Sequence, residues 1–326
     1  MQNHTTEQLP IRYYSAVTAK QVDWLWYPYI PYGKLTVVQG DPGDGKTTFV
    51  LNVAALLSVG QAMPEADIPS SKAVVLYQSA EDGTEDTMKP RLLAAGADCG
   101  NIAFIDETDT TLSLGSPRLE SAIIETGARM LVLDPLQAYL GENGEFYRAD
   151  GIRPMLKQLA AVAERTRCAV VIIGHMNKSS GAKGLYRGLG SIDITAAARS
   201  VLLVGRTKHN PQIRVVAQIK NSLAHEGAAI AFEINDNSGI RWIGKYDISV
   251  EELLLGTVTL DDENKTELAE RILRDALLTG ETLCGDLYAR CSAQGISKRT
   301  VDQAKKQLGI KSIKRTDGWY WTLDRC

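Results

Sequence analysis

Residues 40–47 read Gly40-Asp41-Pro42-Gly43-Asp44-Gly45-Lys46-Thr47 and match the phosphate-binding pattern G-x-x-x-x-G-K-[ST] at every fixed position. An apolar run at 35–39 predicts a buried strand before the segment, and apolar positions from 49 to 57 predict a helix after it. Strand, glycine-rich turn and helix form the geometry in which backbone N–H groups and a helix N-terminus bind phosphate. A chance glycine-rich turn explains the pattern poorly, because both flanks also fit.

The residue types within this segment predict which atoms hold the phosphates and the metal. Lys46 is expected to reach the β- and γ-phosphates, and Thr47 to ligate Mg²⁺, with Thr48 the weaker candidate. Asp44 adds a negative charge close to the phosphates, which would weaken nucleotide affinity. The predicted site for ATP and Mg²⁺ therefore comprises Gly40, Asp41, Pro42, Gly43, Asp44, Gly45, Lys46, Thr47 and Thr48.

Composition limits the class of protein. A chain of 326 residues with 44% apolar content allows one large domain and a small one. Its net charge of −3 is no nucleic-acid signature, so any basic surface must be local. The five cysteines form no C-x-x-C pair, which favours reduced thiols. The polar N-terminus and the lack of a membrane-length apolar run predict a cytoplasmic protein without membrane contact.

Two further carboxylate positions follow predicted strands. The apolar run at 73–77 predicts a strand that leads into Glu81 and Asp82. A carboxylate there can polarise the water that attacks the γ-phosphate, and Glu81 is the first candidate, with Asp82 the fallback. The alternative interpretation of Glu81 is an acid favoured by a helix N-terminus. The run at 129–134 ends in Asp134, which matches the Walker B pattern and predicts a carboxylate that reaches Mg²⁺.

A buried strand at 169–174 leads to His175 and then to a basic loop. His175 is interpreted either as a core histidine bonded to backbone or as a polar sensor of the γ-phosphate at the same sheet edge as Asp134. Residues 176–191 contain four glycines, and the loop is either a plain surface loop or a contact to nucleic-acid phosphates. Its candidate DNA-binding residues are Lys178, Lys183 and Arg187.

The remaining pattern predicts the domain organisation. Strands alternate with helices up to about residue 204, and further strands to 243 predict hairpins at one sheet edge. We therefore expect an α/β, RecA-like P-loop NTPase domain at 1–245 with a mainly parallel central sheet. An acidic linker is predicted at 246–265, and a winged helix-turn-helix at 266–326. The latter rests on helices at 266–278, 283–293 and 297–308 and an aromatic strand at 319–323.

Positive charge is concentrated in the predicted C-terminal domain. Residues 265–326 carry 12 Lys and Arg against 8 Asp and Glu, although the whole chain is acidic. Lys298 and Arg299 lie on the third predicted helix, which is the helix that a winged helix-turn-helix places against DNA. The alternative is a winged helix that docks a protein partner.

Five segments of the chain, taken together with their order, resemble the RepA-like branch of RecA-fold ATPases. That branch contains hexameric plasmid helicases. The segments are also similar, more distantly, to those of DnaB-type replicative helicases. The likeness covers roughly residues 20–245, and RepA helicases need not carry the winged-helix tail predicted here. The segments are the P-loop at 40–47, Tyr77 to Asp82, Leu133 to Leu140, Ile173 to Lys178 and Gly188 to Ser191.

The resemblance implies roles that the residues alone leave open. It implies that Glu81 is the catalytic carboxylate and His175 the γ-phosphate sensor. It also implies a ring of copies of this chain, a hexamer, in which a neighbouring subunit supplies an arginine finger matching Arg199 or Arg206. Single-stranded DNA is expected within the ring, and duplex DNA at the winged helix.

Three functions remain open at this point. The first is a DNA-translocating motor, such as the replicative helicase or replication protein of a plasmid, phage or mobile element. The second is a RadA- or KaiC-like ATPase that remodels partners without unwinding DNA. The third is a DNA-binding regulator controlled by nucleotide. The basic loop at 178–187 favours the motor, because such a loop at a ring centre can grip a strand.

Overall fold

The computed structural model describes residues 11–140, 149–175, 192–208, 210–235, 239–257, 260–277, 280–294, 296–316 and 318–323. Its first elements are β1 (Trp24–Trp26), β2 (Ile30–Pro31), β3 (Leu35–Gly40), α1 (Lys46–Val59), β4 (Val75–Ser79), α2 (Lys89–Ala94), β5 (Ile102–Ala103), α3 (Pro117–Thr126) and β6 (Met130–Asp134). They are followed by α4 (Ala149–Thr166), β7 (Ala169–His175), α5 (Ile192–Ala197), β8 (Ser200–Arg206), β9 (Ile213–Asn221), β10 (Ile230–Ile234) and β11 (Ile240–Lys245). The last elements are α6 (Val250–Thr257), α7 (Leu260–Leu277), β12 (Thr282–Leu283), α8 (Cys284–Ala293), α9 (Lys298–Gln307), β13 (Lys311–Arg315) and β14 (Gly318–Thr322).

A nine-stranded sheet in the order β11-β10-β9-β8-β3-β7-β6-β4-β5 organises the larger part of the chain. The six strands from β8 to β5 run parallel, and β9, β10 and β11 extend the sheet with antiparallel pairing. The predicted mainly parallel α/β sheet with edge hairpins is therefore confirmed. β3 lies between β7 and β8, where the strand order reverses, and ligands of such sheets bind beyond the carboxyl ends of the strands at this point.

Both faces of the sheet are covered, because side chains alternate along each strand. Leu35 and Val37 of β3 belong to one buried cluster, and Val38 belongs to the cluster on the other face with Phe49 of α1. On the α1 face, the Phe49 ring centroid lies 5.9 Å from that of Phe232 and 6.1 Å from that of Trp242. These contacts fix the helix that follows the phosphate loop.

The predicted acidic linker at 246–265 differs from the structure. Residues 250–257 form α6, and its Leu253 is fully buried in a core cluster of the nine-stranded sheet. Ser249 and Glu252 cap the helix reciprocally, since the Ser249 N–H donates to the Glu252 carboxylate at 2.8 Å and the Glu252 N–H donates to the Ser249 hydroxyl at 3.1 Å. The acidic residues at the start of the helix are exposed and Leu253 is buried, so α6 is amphipathic. Its acidic residues gave the region the composition of a linker.

The C-terminal elements form a unit with its own core. α7, α8 and α9 pack around a third buried cluster that includes Leu273, Leu287 and Val301, and this cluster shares no residue with those of the nine-stranded sheet. The strands form a small antiparallel sheet in the order β12-β14-β13, and Lys311 to Arg315 pairs with Gly318 to Thr322 as a hairpin. The three predicted helices and the predicted hairpin are all present. α7 begins at Leu260, ahead of the predicted start at 266.

Across the described residues, no helix combines the length and the apolar composition that crossing a membrane requires.

Candidate nucleotide-binding site

The glycine-rich loop connects β3 to α1 and needs glycine at specific positions. Gly45 precedes the first residue of α1 and has φ 92°, a left-handed conformation that glycine adopts without strain. A Cβ at Gly45 would lie 2.8 Å from Ile234 Cδ1, and a Cβ at Gly40 would lie 2.1 Å from the carbonyl oxygen of Val204. Both distances are shorter than those of real Cβ contacts. Residues of β8 and β10 therefore pack directly against the backbone of the loop and leave no room for a side chain at Gly40 or Gly45.

Lys46 is buried at the start of α1, and its ammonium group faces the loop. Nζ donates to the carbonyl oxygens of Gly40 at 2.9 Å and of Asp41 at 2.8 Å. Burial lowers the pKa of Lys46, and nearby carboxylates counteract this effect, in decreasing order those of Asp44, Asp134, Asp41 and Glu81. Four acids therefore lie within electrostatic reach of this cation.

Asp134 ends β6 beside the phosphate loop, close to Thr47. Its carboxylate accepts a hydrogen bond from Tyr77 Oη at 3.2 Å. Burial raises the pKa of Asp134 to about 6, and the Thr47 hydroxyl and Tyr77 Oη oppose that rise. Among the described residues no group of three His, Cys, Asp or Glu side chains could hold a metal. The pair fits Mg²⁺, which accepts a few protein oxygens and takes further ligands from phosphates and water.

Glu81 and Asp82, the two candidates for activating water, have different surroundings. β4 pairs with β6 so that Ser79 lies opposite Asp134, which brings the residues after β4 to the same sheet edge. Glu81 is exposed and close enough to raise the pKa values of both Lys46 and Asp134. The carboxylate of Asp82 instead accepts from Arg91 Nη1 at 2.7 Å. Asp82 raises the pKa of Asp134 more than Glu81 does, so both carboxylates lie at this sheet edge, and of the two Asp82 is the one engaged by Arg91.

Asp44, the acid inside the phosphate loop, is buried and partly compensated. Its carboxylate accepts from the Asp41 N–H at 3.0 Å and lies 3.5 Å from Arg206 Nε. Arg206 Nη2 also donates to the carbonyl oxygen of Gly43 at 2.6 Å. Burial and the neighbouring Asp41 raise the pKa of Asp44 to about 6, and the Asp41 N–H, Lys46 and Arg206 act in the opposite direction. The loop is therefore tied to β8 through Arg206.

The two arginines predicted as candidates for a finger in trans lie at opposite ends of β8. Arg206 contacts the phosphate loop of its own chain, and its role as a finger in trans stays a prediction. Arg199 precedes the amino end of β8, is exposed, and donates its N–H to the carbonyl oxygen of Leu35. A strand of the length of β8 spans roughly 20 Å, so Arg199 lies far from this chain's own site.

Arg214 of β9 is a third cation at the phosphate loop, after Lys46 and Arg206, and sequence analysis missed it. It pairs with Arg206 across β8 and β9, and its Cδ would lie 3.0 Å from a Cβ at Gly45. Burial and Arg206 lower the pKa of Arg214, and Asp44 raises it. The only indication of Arg214 in the sequence is the apolar pattern at 213–219, which predicts a strand. That pattern identifies the strand but not the register that brings Arg214 to the loop.

The predicted γ-phosphate sensor and the basic loop are described only in part. His175 is the last residue of β7, and its backbone pairs with Gly40 at the start of the phosphate loop, which places it at the predicted sheet edge. The side chain of His175 lies outside the described residues. So do Lys178, Lys183 and Arg187.

The predicted DNA-binding residues of the C-terminal unit are both exposed on α9. Lys298 Nζ lies 5.0 Å from the ring centroid of Tyr288, and the Tyr288 hydroxyl donates to Asp302. Lys298 therefore packs against α8, whereas Arg299 lies on the next position around the helix.

The sequence matches one protein-family model and is similar to curated DNA repair proteins. The AAA_25 family, described as an AAA domain, matches residues 5–181. The DNA repair protein RadA of Bacillus subtilis is 25% identical over 229 residues, which is 69% of this chain and 44% of that protein. RadA of Halalkalibacterium halodurans is 27% identical over 209 residues, 63% of this chain and 40% of that protein. The chain thus spans less than half the length of these curated relatives.

Solved structures show the same fold. The ATPase domain of G40P superposes with a TM-score of 0.52 at 16% identity, over 65% of this chain and 85% of that one. A DnaB-like replicative helicase, solved with its interactions with primase, gives a TM-score of 0.52 at 16% identity, over 65% of this chain and 57% of that one. The ATPase sheet therefore has the RecA-like fold of replicative-helicase ATPase domains.

Proposed function

The chain belongs to the AAA_25 family of AAA domains, and from that premise we propose that it hydrolyses ATP and uses the energy to act on DNA. The observation that carries this proposal is the meeting of three elements at one sheet edge. They are the buried Lys46 of the phosphate loop, the neighbouring Thr47 and Asp134, and the exposed Glu81 beside them.

Each group has a separate part in the reaction. Lys46 would bind the β- and γ-phosphates and stabilise their charge, while the N–H groups at the start of α1 add a favourable dipole. Thr47 and Asp134 would hold Mg²⁺, which supplies charge neutralisation when bound. Glu81 would accept the proton of the attacking water, and its exposure keeps it accessible to that water. Arg206 and Arg214 would fix the loop and add positive potential from the same chain.

Within that class, we favour a RepA- or DnaB-like helicase or replication protein that works as a ring, a hexamer of this chain. The fold similarity to a DnaB-like replicative helicase supports this choice. A RadA-like ATPase that remodels its partners is the second candidate, because the curated relatives carry the name DNA repair protein RadA. A regulator controlled by nucleotide is the third, and the separate C-terminal core supports it.

For the C-terminal unit, we propose a winged helix-turn-helix that binds duplex DNA. Its order of elements, helix, strand, helix, helix, strand, strand, is that of such a domain. Lys305 lies over the Trp321 ring at 4.4 Å and donates to Ser312, so it holds α9 against the hairpin. The surface we call the basic face is the exposed stripe of α9 formed by Arg299, Gln303 and Lys306. Its i, i+4, i+7 spacing suits contact with a DNA groove.

The decisive experiment measures ATP turnover and unwinding of a forked DNA duplex by the full chain. Lys46→Ala should abolish both, because the phosphates lose their buried cation. Lys72→Ala is the matched control, since Lys72 is exposed and pairs with Asp98 away from the phosphate loop, and it should keep both. ATP turnover that persists in Lys46→Ala would overturn the ATPase assignment. Turnover without unwinding in the unmodified chain would favour the RadA-like alternative.

A further inference from the structure

The hairpin of β13 and β14 carries two tryptophans on one face, each with a lysine over its ring. Trp319 and Trp321 share that face because side chains alternate along a strand. The register places Lys314 opposite Trp319, and therefore on the same face. Lys305 of α9 lies over the Trp321 ring at 4.4 Å, and Lys314 lies over the Trp319 ring at 5.9 Å. The combination of an indole and an ammonium group thus occurs twice, once against α9 and once nearer the turn of the hairpin.

Only the pair at Trp321 belongs to the packing of the C-terminal unit. Trp321 is 3% exposed, lies in the buried cluster of that unit and meets the Tyr288 ring edge-on at 5.1 Å. Trp319 is 51% exposed and is neither in that cluster nor among the partly buried apolar residues packed against it. Within the described part of the unit it is the one large apolar side chain exposed to solvent. The core therefore does not account for Trp319.

The surroundings of Trp319 carry positive charge. Lys314 is exposed and has no carboxylate partner among the described residues. Lys306 of the basic face is exposed on α9, directly after the lysine that covers Trp321. The acid in the turn of the hairpin, Asp317, lies outside the described residues. A single exposed apolar residue is ordinary, but an exposed indole among cations is the combination with which proteins hold the bases and phosphates of a single strand.

We propose that Trp319 and Lys314 form a stacking site for an unpaired base, so that the C-terminal unit prefers DNA in which a single strand emerges from a duplex. An indole stacks on the face of any base, so the contact does not depend on sequence. Lys314 neutralises the adjoining phosphate. Inside an intact duplex both faces of each base are covered by its neighbours, and the site has nothing to stack on. The inference rests on the proposed DNA binding by this unit and adds which part of a DNA molecule it selects.

The first test compares two labelled duplexes by fluorescence anisotropy, with the full chain and without nucleotide. One duplex is blunt, and the other ends in a short fork with two unpaired thymines on each strand. The wild type should bind the forked duplex about tenfold more tightly, the gain that one stacked base supplies. Trp319→Ala should lose this gain and keep its affinity for the blunt duplex, whereas Trp319→Phe should keep most of the gain because a ring remains. Phe104→Ala is the matched control, since Phe104 is a similarly exposed aromatic residue after β5, and it should bind both duplexes as the wild type does.

The second test observes stacking directly. A fluorescent purine analogue at the unpaired position next to the duplex should lose emission when saturated with the wild type, and should keep it with Trp319→Ala. Lys314→Ala should reduce the slope of log affinity against log salt by roughly 1 for the forked duplex alone. Equal quenching by the wild type and Trp319→Ala, or equal wild-type affinity for the two duplexes, overturns the inference.

A failure of the stacking site and a failure of duplex binding give different results. Arg299→Ala with Lys306→Ala should weaken binding to both duplexes and keep the preference for the fork, because these side chains belong to the basic face. Wild-type binding to both duplexes without a preference overturns the stacking site and leaves the proposed duplex binding in place. A wild-type chain that binds neither duplex overturns both.

Discussion

In the nucleotide site, Lys46, Asp44 and Asp134 are buried and each is fixed by hydrogen bonds, whereas Arg299 and Lys306 on α9 are exposed to solvent. Buried charges are scarcely screened, so each depends strongly on its neighbours and on its geometry. Exposed charges are screened within about 10 Å at ordinary salt and act as a group. One region is therefore suited to chemistry at a defined atom, and the other to salt-dependent attraction of a polyanion.

The largest effect is expected from Glu81→Gln. This change removes the proton acceptor while leaving the phosphate and metal ligands in place, so turnover should fall about 10²- to 10⁴-fold with little change in ATP binding. Single-turnover hydrolysis and nucleotide binding by equilibrium fluorescence measure the two quantities. Asp82→Asn is the matched control and should be much milder, because Asp82 is engaged by Arg91. If Asp82→Asn has the larger effect, the water-activating carboxylate is Asp82.

The next largest effect is expected from Arg206→Ala. Comparison with Arg199→Ala distinguishes an arginine that acts within one chain from one that acts between chains. Arg206→Ala should weaken ATP binding about tenfold or more, because the loop loses its charge-assisted hydrogen bonds to β8. If Arg206 acts only in its own chain, activity in mixtures with wild type should fall in proportion to the variant. Arg199→Ala should lower activity in mixtures more than proportionally if Arg199 reaches a neighbour's site. Proportional loss for Arg199 and excess loss for Arg206 would reverse these assignments.

A smaller, salt-dependent effect is expected at the basic face. Arg299→Ala with Lys306→Ala should weaken duplex DNA binding and reduce the slope of log affinity against log salt by roughly 2, one unit for each phosphate that is no longer neutralised. Fluorescence anisotropy across a salt series measures the slope. Arg290→Ala on α8 is the control within the same unit. An unchanged slope would indicate that the unit docks a protein partner.

The smallest effect concerns the acid inside the phosphate loop. The pKa of Asp44 is raised in the folded chain, so the folded state favours its protonated form, and this stability is present at low pH and lost as pH rises through about 6. Asp44→Asn should therefore raise the free energy of unfolding by about 1 kcal/mol at about pH 8, and the gain should vanish below about pH 4. Chemical denaturation at several pH values tests this, with the exposed Asp86→Asn as control. A gain that is the same at every pH would show that the charge of Asp44 is not its cause.

The nucleotide site was largely predictable because its residues are close in sequence to strands with strong apolar patterns. Lys46, Thr47 and Asp134 follow or end β3 and β6, and parallel strands bring their carboxyl ends together. Arg214 was not predictable, because its position depends on the register of antiparallel β8 and β9, which includes an irregularity between Val201 and Leu202.

The misplaced linker has a different cause. The acidic composition of residues 246–265 predicts a linker, whereas Leu253 and its neighbours pack on the sheet at helical spacing. Ser249 and Glu252 carried a readable capping signal at the helix start. Local hydrogen-bonding patterns are therefore better guides than net composition where a short helix packs on a large domain.

Two tryptophans contact α1, so their intrinsic fluorescence can report on the position of that helix. Trp242 donates from Nε1 to Asn52 Oδ1 at 2.9 Å, and its ring and that of Trp26 both lie 6.1 Å from Phe49. Asn52 and Phe49 belong to the helix whose first residue is Lys46. Any shift of that helix as the loop takes up phosphate changes the polarity and quenching around two indoles. Intrinsic emission can therefore follow nucleotide uptake in stopped flow without an added dye.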